Sequence, residues 1–231
     1  MTIGILGAMP EEIAELKTDL DLTQTIERHG NTFYFGTLYG HHVILTQCGI
    51  GKVNAALVAT SLLGFGIDQL IFTGVAGGLA PDLRVGDVVV SKDLLQHDID
   101  VTALGYTLGQ IPGEAEFWEA DAALAHLALK AARRLGSGQV QLGRIVSGDQ
   151  FIADPQVAQR LYETFGGLCA EMEGAAVAHI AHRFKVPFVV IRSLSDGSNS
   201  DAKTSYRQWM PIVARNAKAV VRGMLEELNK N

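Results

Sequence analysis

Cysteine is nearly missing from this chain: two residues, Cys48 and Cys169, stand among 231. Both lie in apolar, strand-like runs and read as buried free thiols of a reducing compartment, which excludes a disulfide scaffold. A basic excess is missing too. The net charge is −6, so a nucleic-acid or acidic-membrane surface is not expected as a main partner. No stretch approaches the ~20 apolar residues of a membrane span. The amino terminus has no basic segment and its apolar run stops at Pro10-Glu11-Glu12, unlike a signal peptide. These absences together predict a cytoplasmic protein. A Gly-x-Ser-x-Gly nucleophile elbow is absent, which disfavours covalent serine hydrolysis. The seven histidines do not cluster with acids or cysteines at metal spacing. His97 beside Asp98 and Asp100 is the best metal candidate, the alternative being a solvated or hydrogen-bonded loop, and no metal is expected.

Glycine, by contrast, is plentiful. Its 25 residues are about 11% of the chain against a usual ~7%, which suits many tight loops at a ligand edge. Ile3 to Ala8 is expected as a buried strand. A helix follows from Pro10, with Glu11 and Glu12 on its positive end and Ile13, Leu16 and Leu20 as its apolar stripe. Strands are expected from Thr32 to Leu38 and from His42 to Gln47. A helix then runs through Val53, Leu57 and Leu63. Gln69 to Thr73 reads as a strand closing in Gly74-Val75-Ala76-Gly77-Gly78, where glycines either admit a ligand to the backbone or form an ordinary turn. Another strand is expected from Val85 to Ser91. His97 to Phe117, with Gly105, Gly109, Pro112 and Gly113, reads as a long and therefore functional loop. A helix from Ala120 to Leu135 and a strand from Val140 to Val146 come next. Val213, Ala217, Val220, Val221, Met224 and Leu228 share one face of a last helix, with Pro211 near its start or at a kink. No repeat or linker interrupts this alternation, so residues 1–231 are read as one α/β domain.

The chain is organised around Glu171-Met172-Glu173-Gly174 and the residues after it as far as Asp196. Leu168 to Met172 leans toward a short strand. Val177, Ile180, Ala181 and Phe184 have helical spacing, and Val186 to Ile191 reads as a buried parallel strand. A crossover of this kind would bring Glu173 and Asp196 to one sheet edge, where open α/β sheets bind ligands. Gly49-Ile50-Gly51-Lys52 is no phosphate loop, because Val53 replaces the required Ser or Thr; it reads as a tight turn into a helix. What remains are carboxylates at strand ends: Glu12, Asp149, Glu171, Glu173 and Asp196. Paired acids beside a groove suit cleavage of a glycosidic bond, and the alternative is solvated acids at helix ends.

Five motifs stand in order: Gly4-Ile5-Leu6-Gly7-Ala8-Met9-Pro10-Glu11-Glu12, Thr73 to Gly78, Ser147-Gly148-Asp149-Gln150-Phe151, Glu171 to Ala175, and Arg192-Ser193-Leu194-Ser195-Asp196. Together they closely resemble the 5'-methylthioadenosine/S-adenosylhomocysteine nucleosidases of the nucleoside phosphorylase superfamily. The resemblance implies an α/β/α sandwich around a mixed, mostly parallel twisted sheet, and hydrolysis of adenine from a 5'-thio-substituted ribose without a cofactor. It makes Glu12 the base that activates water, Glu173 the acid on the ribose hydroxyls beside Met172, and Asp196, steadied by Ser195, the acid serving adenine N7. It puts Arg192 near the attacking water, Phe151 and Ile152 on the base, Ala76 and Gly77 in the same pocket, and Tyr206 and Ile50 in the thioalkyl wall. Val101, Leu104, Tyr106 and Pro112 match a loop that reaches a partner subunit's pocket, which implies a homodimer. Two positions depart from the common pattern: Val75 stands where Ser is frequent and Leu104 where Phe is. Val75, Gln150 and Gly174 look like the subset that also cleaves aminodeoxyfutalosine. The chemistry asks for opposite protonation states: burial should keep Asp196 protonated, and the helix amino end should favour the Glu12 anion.

Overall fold

Short apolar runs ended by glycine or proline build the strands, and longer runs with one apolar face build the helices. The computed structural model describes residues 1–136, 138–196 and 202–229, apart from the side chains of residues 202–208, 210 and 213. The elements in chain order are β1 (Thr2–Gly7), α1 (Pro10–Asp19), β2 (Asp21–Arg28), β3 (Asn31–Leu38), β4 (His41–Gln47), α2 (Lys52–Leu63), β5 (Gln69–Gly78) and β6 (Val88–Gln96). A short 3-10 turn, Thr102–Leu104, interrupts the long loop. Then come β7 (Trp118–Glu119), α3 (Ala122–Arg133), β8 (Val140–Ser147), α4 (Pro155–Phe165), β9 (Gly167–Glu171), α5 (Gly174–Phe184), β10 (Phe188–Asp196) and α6 (Ala202–Leu228).

The strands form one mixed sheet in the order β10-β6-β8-β9-β5-β1-β4-β3-β2, with β7 paired to β6. Among the described residues five pairings are parallel and five antiparallel. Because β10 also pairs with β5, the strands β10, β6, β8, β9 and β5 close into a ring. Helices cover both faces. Alternation along β1 sends Ile3 and Ile5 to the cluster that holds Leu16, Val220 and Met224, and Leu6 to the cluster that holds Val58, Leu62 and Val177. A third cluster seats α4 through Leu161 and Phe165 against Leu95 and Val146. The chain is thus a single-domain α/β protein of the expected three-layer kind.

Three readings are corrected. The glycine tract is not a turn, for β5 runs on through Gly78. Nor is the unit from β9 through α5 to β10 a parallel crossover. β9 pairs antiparallel with β5 at Gly77 and Ala170, whereas β10 pairs parallel with it at Gly77 and Asp196. A helix of this length can return the chain in either direction once the sheet curls into a ring, and a five-residue strand carries no sign of its direction. The carboxyl ends of β9 and β10 therefore both arrive at Gly77, from opposite senses. The sequence reading also passed over β2 and α4. β2 is an edge strand whose residues are all exposed except the half-buried Ile26, so no alternation marks it. α4 carried a signal: Asp154 caps it by accepting from the Gln156 N–H, Pro155 begins it and Gly166 ends it left-handed.

Candidate active site

Glu12 is the third residue of α1, and its side chain turns back over the loop after β1. Oε2 accepts from the N–H groups of Ala8 (2.5 Å) and Met9 (2.9 Å), and Oε1 from that of Val75 (3.0 Å). Gly74 makes this possible, since a Cβ there would stand 2.6 Å from Oε1. Glu12 is 2% exposed. Burial pushes its carboxyl above the ordinary range, while the Arg192 guanidinium and the three N–H groups pull it down. Every hydrogen bond that Glu12 makes among the described residues is one it accepts, a setting that favours the anion. The expectation that the helix amino end favours the anion is therefore qualified: burial opposes the anion, and the Arg192 charge and then the backbone donors offset part of that.

Asp196 ends β10. The Ser195 hydroxyl donates to its Oδ1 at 2.9 Å, and the bare Gly77 leaves room beside it. Burial pushes its carboxyl up to about 6, the direction that a proton donor needs. Glu173 follows β9 at the start of α5, and its Oε1 accepts from the Gly51 N–H at 2.8 Å. Burial, and next the neighbouring Glu171, push it up to about 8. Glu171 itself is fully engaged. It accepts from the Ser147 hydroxyl, from the Gly174 N–H at 2.9 and 2.7 Å, and from Nη2 of Arg192 at 2.7 Å.

These acids surround one cavity of about 300 Å³. Ile50, Val75, Ala76 and Gly77 line it from the turn before α2 and from β5. Gln150, Phe151 and Ile152 line it from the loop after β8, and Met172 and Ser195 from either side of Gly77. Arg192 does not line it. Its guanidinium lies 4.0 Å over the Phe72 ring, beside Glu12, with Nη1 donating to the Ile191 carbonyl. Val101, Leu104, Tyr106 and Pro112 also stand apart from this cavity, on the long loop; Leu104 is 74% exposed. The Tyr206 side chain lies outside the described residues. The metal candidate is resolved differently: Asp98 is bonded to Lys52 and Asp100 to Thr102, and no group of three or more metal-binding side chains is assembled among the described residues. Sequence reasoning missed the roles of Ser147 and of the N–H donors of Ala8, Met9, Gly51 and Val75. A backbone donor has no residue type to betray it, although Ser147 lay inside a motif already marked.

A sequence model of the phosphorylase superfamily matches residues 2–226. The 5'-methylthioadenosine/S-adenosylhomocysteine nucleosidase of Tolumonas auensis is 43% identical over 230 residues, covering 99% of this chain and 100% of its own. The crystal structure of the Neisseria meningitidis enzyme of that name, in complex with methylthio-immucillin-A, superposes with a TM-score of 0.93 at 35% identity, over 98% of this chain and 99% of that one. A futalosine hydrolase of Helicobacter pylori superposes with a TM-score of 0.92 at 36% identity, over 98% of each chain. Among the described residues no helix is long and apolar enough to cross a membrane. Matched from end to end in sequence and in fold, the chain belongs to the phosphorylase superfamily and, within it, to the 5'-methylthioadenosine/S-adenosylhomocysteine nucleosidases.

Proposed function

We propose that this enzyme hydrolyses the N-glycosidic bond of 5'-methylthioadenosine and S-adenosylhomocysteine, releasing adenine and the 5'-thio-substituted ribose, with water as the only co-reactant. The observation that carries this reading is the convergence of Glu12, Glu173 and Asp196, all buried, on one mainly apolar cavity. Breaking the bond builds positive charge on the sugar and negative charge on the base. Carboxylates near the ring stabilise the first, and a proton or strong hydrogen bond at N7 relieves the second. Glu12, held as an anion by three N–H donors, takes the proton from water. Glu173 binds the ribose hydroxyls, with Met172 beside them. Asp196 serves N7, steadied by the Ser195 hydroxyl. Phe151 stacks on the base, Ile152 reads its edge, and Ile50 with Tyr206 receives the thioalkyl group. Arg192 acts indirectly, by its charge beside Glu12.

The superfamily name leaves phosphorolysis as the rival. Phosphate capture wants free Arg and backbone donors. Here Arg192 already serves Glu171 and the Ile191 carbonyl, and Phe72 lies under its guanidinium. Adenine release from methylthioadenosine should proceed at the same rate with and without phosphate; a rate that needs phosphate and yields a ribose 1-phosphate sinks the reading. A second substrate, aminodeoxyfutalosine, is favoured by Val75 and Gln150 in the cavity wall, and a futalosine hydrolase shares the fold. Side-by-side kcat/KM values on the three nucleosides decide it.

The same reading makes the enzyme a cytoplasmic homodimer. Val53 and Leu57 on α2, with Ile50 in the turn before it, are exposed apolar residues, and Leu104 and Tyr106 are exposed on the long loop. A second copy covers both, and Val101, Leu104, Tyr106 and Pro112 then close the partner's pocket.

A further inference from the structure

Three groups singled out by the sequence take no part in the chemistry above: Lys52, Asp98 and Asp149. The fold brings them together at the amino end of α2, from three separate segments. Lys52 Nζ donates to Asp98 Oδ1 at 2.6 Å, and both side chains are mostly buried. The other Asp98 oxygen, Oδ2, accepts from the Asp149 N–H at 3.0 Å. Asp149 in turn accepts the Lys52 N–H on Oδ1 at 2.8 Å, which gives α2 the cap its own residue Gly51 cannot supply. The circuit closes on the turn at Gly51. Gly51 is left-handed, with φ of 97°, and its N–H is the donor to Glu173 Oε1 at 2.8 Å. A side chain at Gly51 would also press on Asp149, whose Oδ1 lies 3.2 Å from the place of its Cβ.

We infer that Asp98, Lys52 and Asp149 are positioning residues that aim the Gly51 N–H at Glu173 and so orient that carboxylate toward the ribose hydroxyls. The inference rests on the proposed role of Glu173. Without the clamp the turn relaxes, the N–H leaves Oε1, and the Glu173 carboxyl loses the one donor that it has among the described residues. Ribose recognition then weakens while water activation at Glu12 and N7 protonation at Asp196 stay intact.

The test uses the full-length enzyme with Asp98→Asn, Lys52→Met and Lys52→Arg, and methylthioadenosine beside its analogues lacking the 2'- or the 3'-hydroxyl. Asp98→Asn and Lys52→Met should each lose on the order of tenfold in kcat/KM on methylthioadenosine, the size of one buried hydrogen bond. They should lose much less on the deoxy analogues, and Lys52→Arg should recover most of the loss. Far-ultraviolet circular dichroism and thermal unfolding report whether each variant is folded, and Asp98→Asn, being nearly isosteric, keeps the test open if Lys52→Met is not. Equal losses on all three substrates, or no rescue by Arg, overturn the inference. Glu173→Gln separates it from the reading beneath: if Glu173→Gln loses equally with and without the hydroxyls, the ribose role of Glu173 has failed. If Glu173→Gln depends on the hydroxyls and Asp98→Asn does not, only the clamp has failed.

Discussion

At the level of single residues, the site is a study in carboxylates that burial alone would neutralise. Among the described residues Asp196 has no cation beside it, only the Ser195 hydroxyl, and burial pushes its carboxyl up to about 6. With Asp196 in its proposed role as the acid at N7, Asp196→Asn should slow adenine release by on the order of 10²–10⁴. On a ribosyl substrate whose leaving group departs readily as an anion, the same variant should lose far less. Glu12→Gln should impair both substrates, because water must be activated in either case. Rates of both variants on both substrates check this, and equal losses for Asp196→Asn would leave Asp196 a holder of the base and not its acid. Glu173 yields a stability prediction. Its carboxyl lies near 8 in the fold against an ordinary 4.5, so the folded state binds a proton that the unfolded chain has released. Stability therefore falls as pH rises from about 4.5 to about 8. Glu173→Gln removes that loss. Without ligand, its melting temperature should exceed that of the parent at pH 8 by more than at pH 5; a gap independent of pH refutes it. The residue types of Glu12, Glu173 and Asp196 were legible in the sequence because carboxylates at strand ends are rare enough to notice. The burial that raises Asp196 was legible as well. What opposes burial at Glu12 and Glu173 was not, because the N–H groups of Ala8, Met9, Val75 and Gly51 belong to the backbone.

Among the elements, β5 does most to shape the site. Gly74 and Gly77 lie within a strand, where glycine weakens packing and marks a close approach. Here each leaves space for one acid. Gly74→Ala would drive a methyl group against Glu12, which three N–H donors hold in place. The expected outcome is a loss of kcat/KM of roughly tenfold to hundredfold, the size of one or more charged hydrogen bonds, in a protein that still folds. Steady-state kinetics with a circular dichroism check measure it. Behind the same strand, Glu171 and Arg192 form a buried pair, 7% and 1% exposed. Arg192→Met strands the Glu171 charge and should cost about 3–5 kcal/mol in urea unfolding; a loss below ~1 kcal/mol contradicts the pairing. Apolar runs revealed β1 and β4, which are buried on both faces, and apolar stripes revealed α1 and α2, which bury one. Such patterning failed where burial was absent, at β2, or where direction mattered, at β9. On α2 it also misassigned the stripe: Val53 and Leu57 face outward, while Val58, Leu62 and Leu63 pack inward. The alternate apolar face is real but exposed, and the proposed dimer is what would cover it.

For the whole molecule, that outward face is the measurable consequence. Val53 is 80% exposed and Leu104 74%, and single apolar residues so bare are ordinary only when scattered. Val53→Glu and Leu104→Glu should convert a dimer to a monomer by light scattering with the fold retained, and kcat/KM should fall with the dimer if the partner's loop completes the pocket. A parent protein that is monomeric at active concentrations ends this idea. The ring of β10, β6, β8, β9 and β5 carries a different consequence. β5 is bonded to β1, β9 and β10 along its length, so its amides cannot open without parting the ring. In deuterium exchange they should be the last to take up label, along with those of β10, while the β2–β3 hairpin at the sheet margin labels early. Gly74, Val75 and Gly77 sit on that slowest strand. Heat should then abolish turnover only at the temperature where the last protected amides surrender, with no inactive but folded species in between.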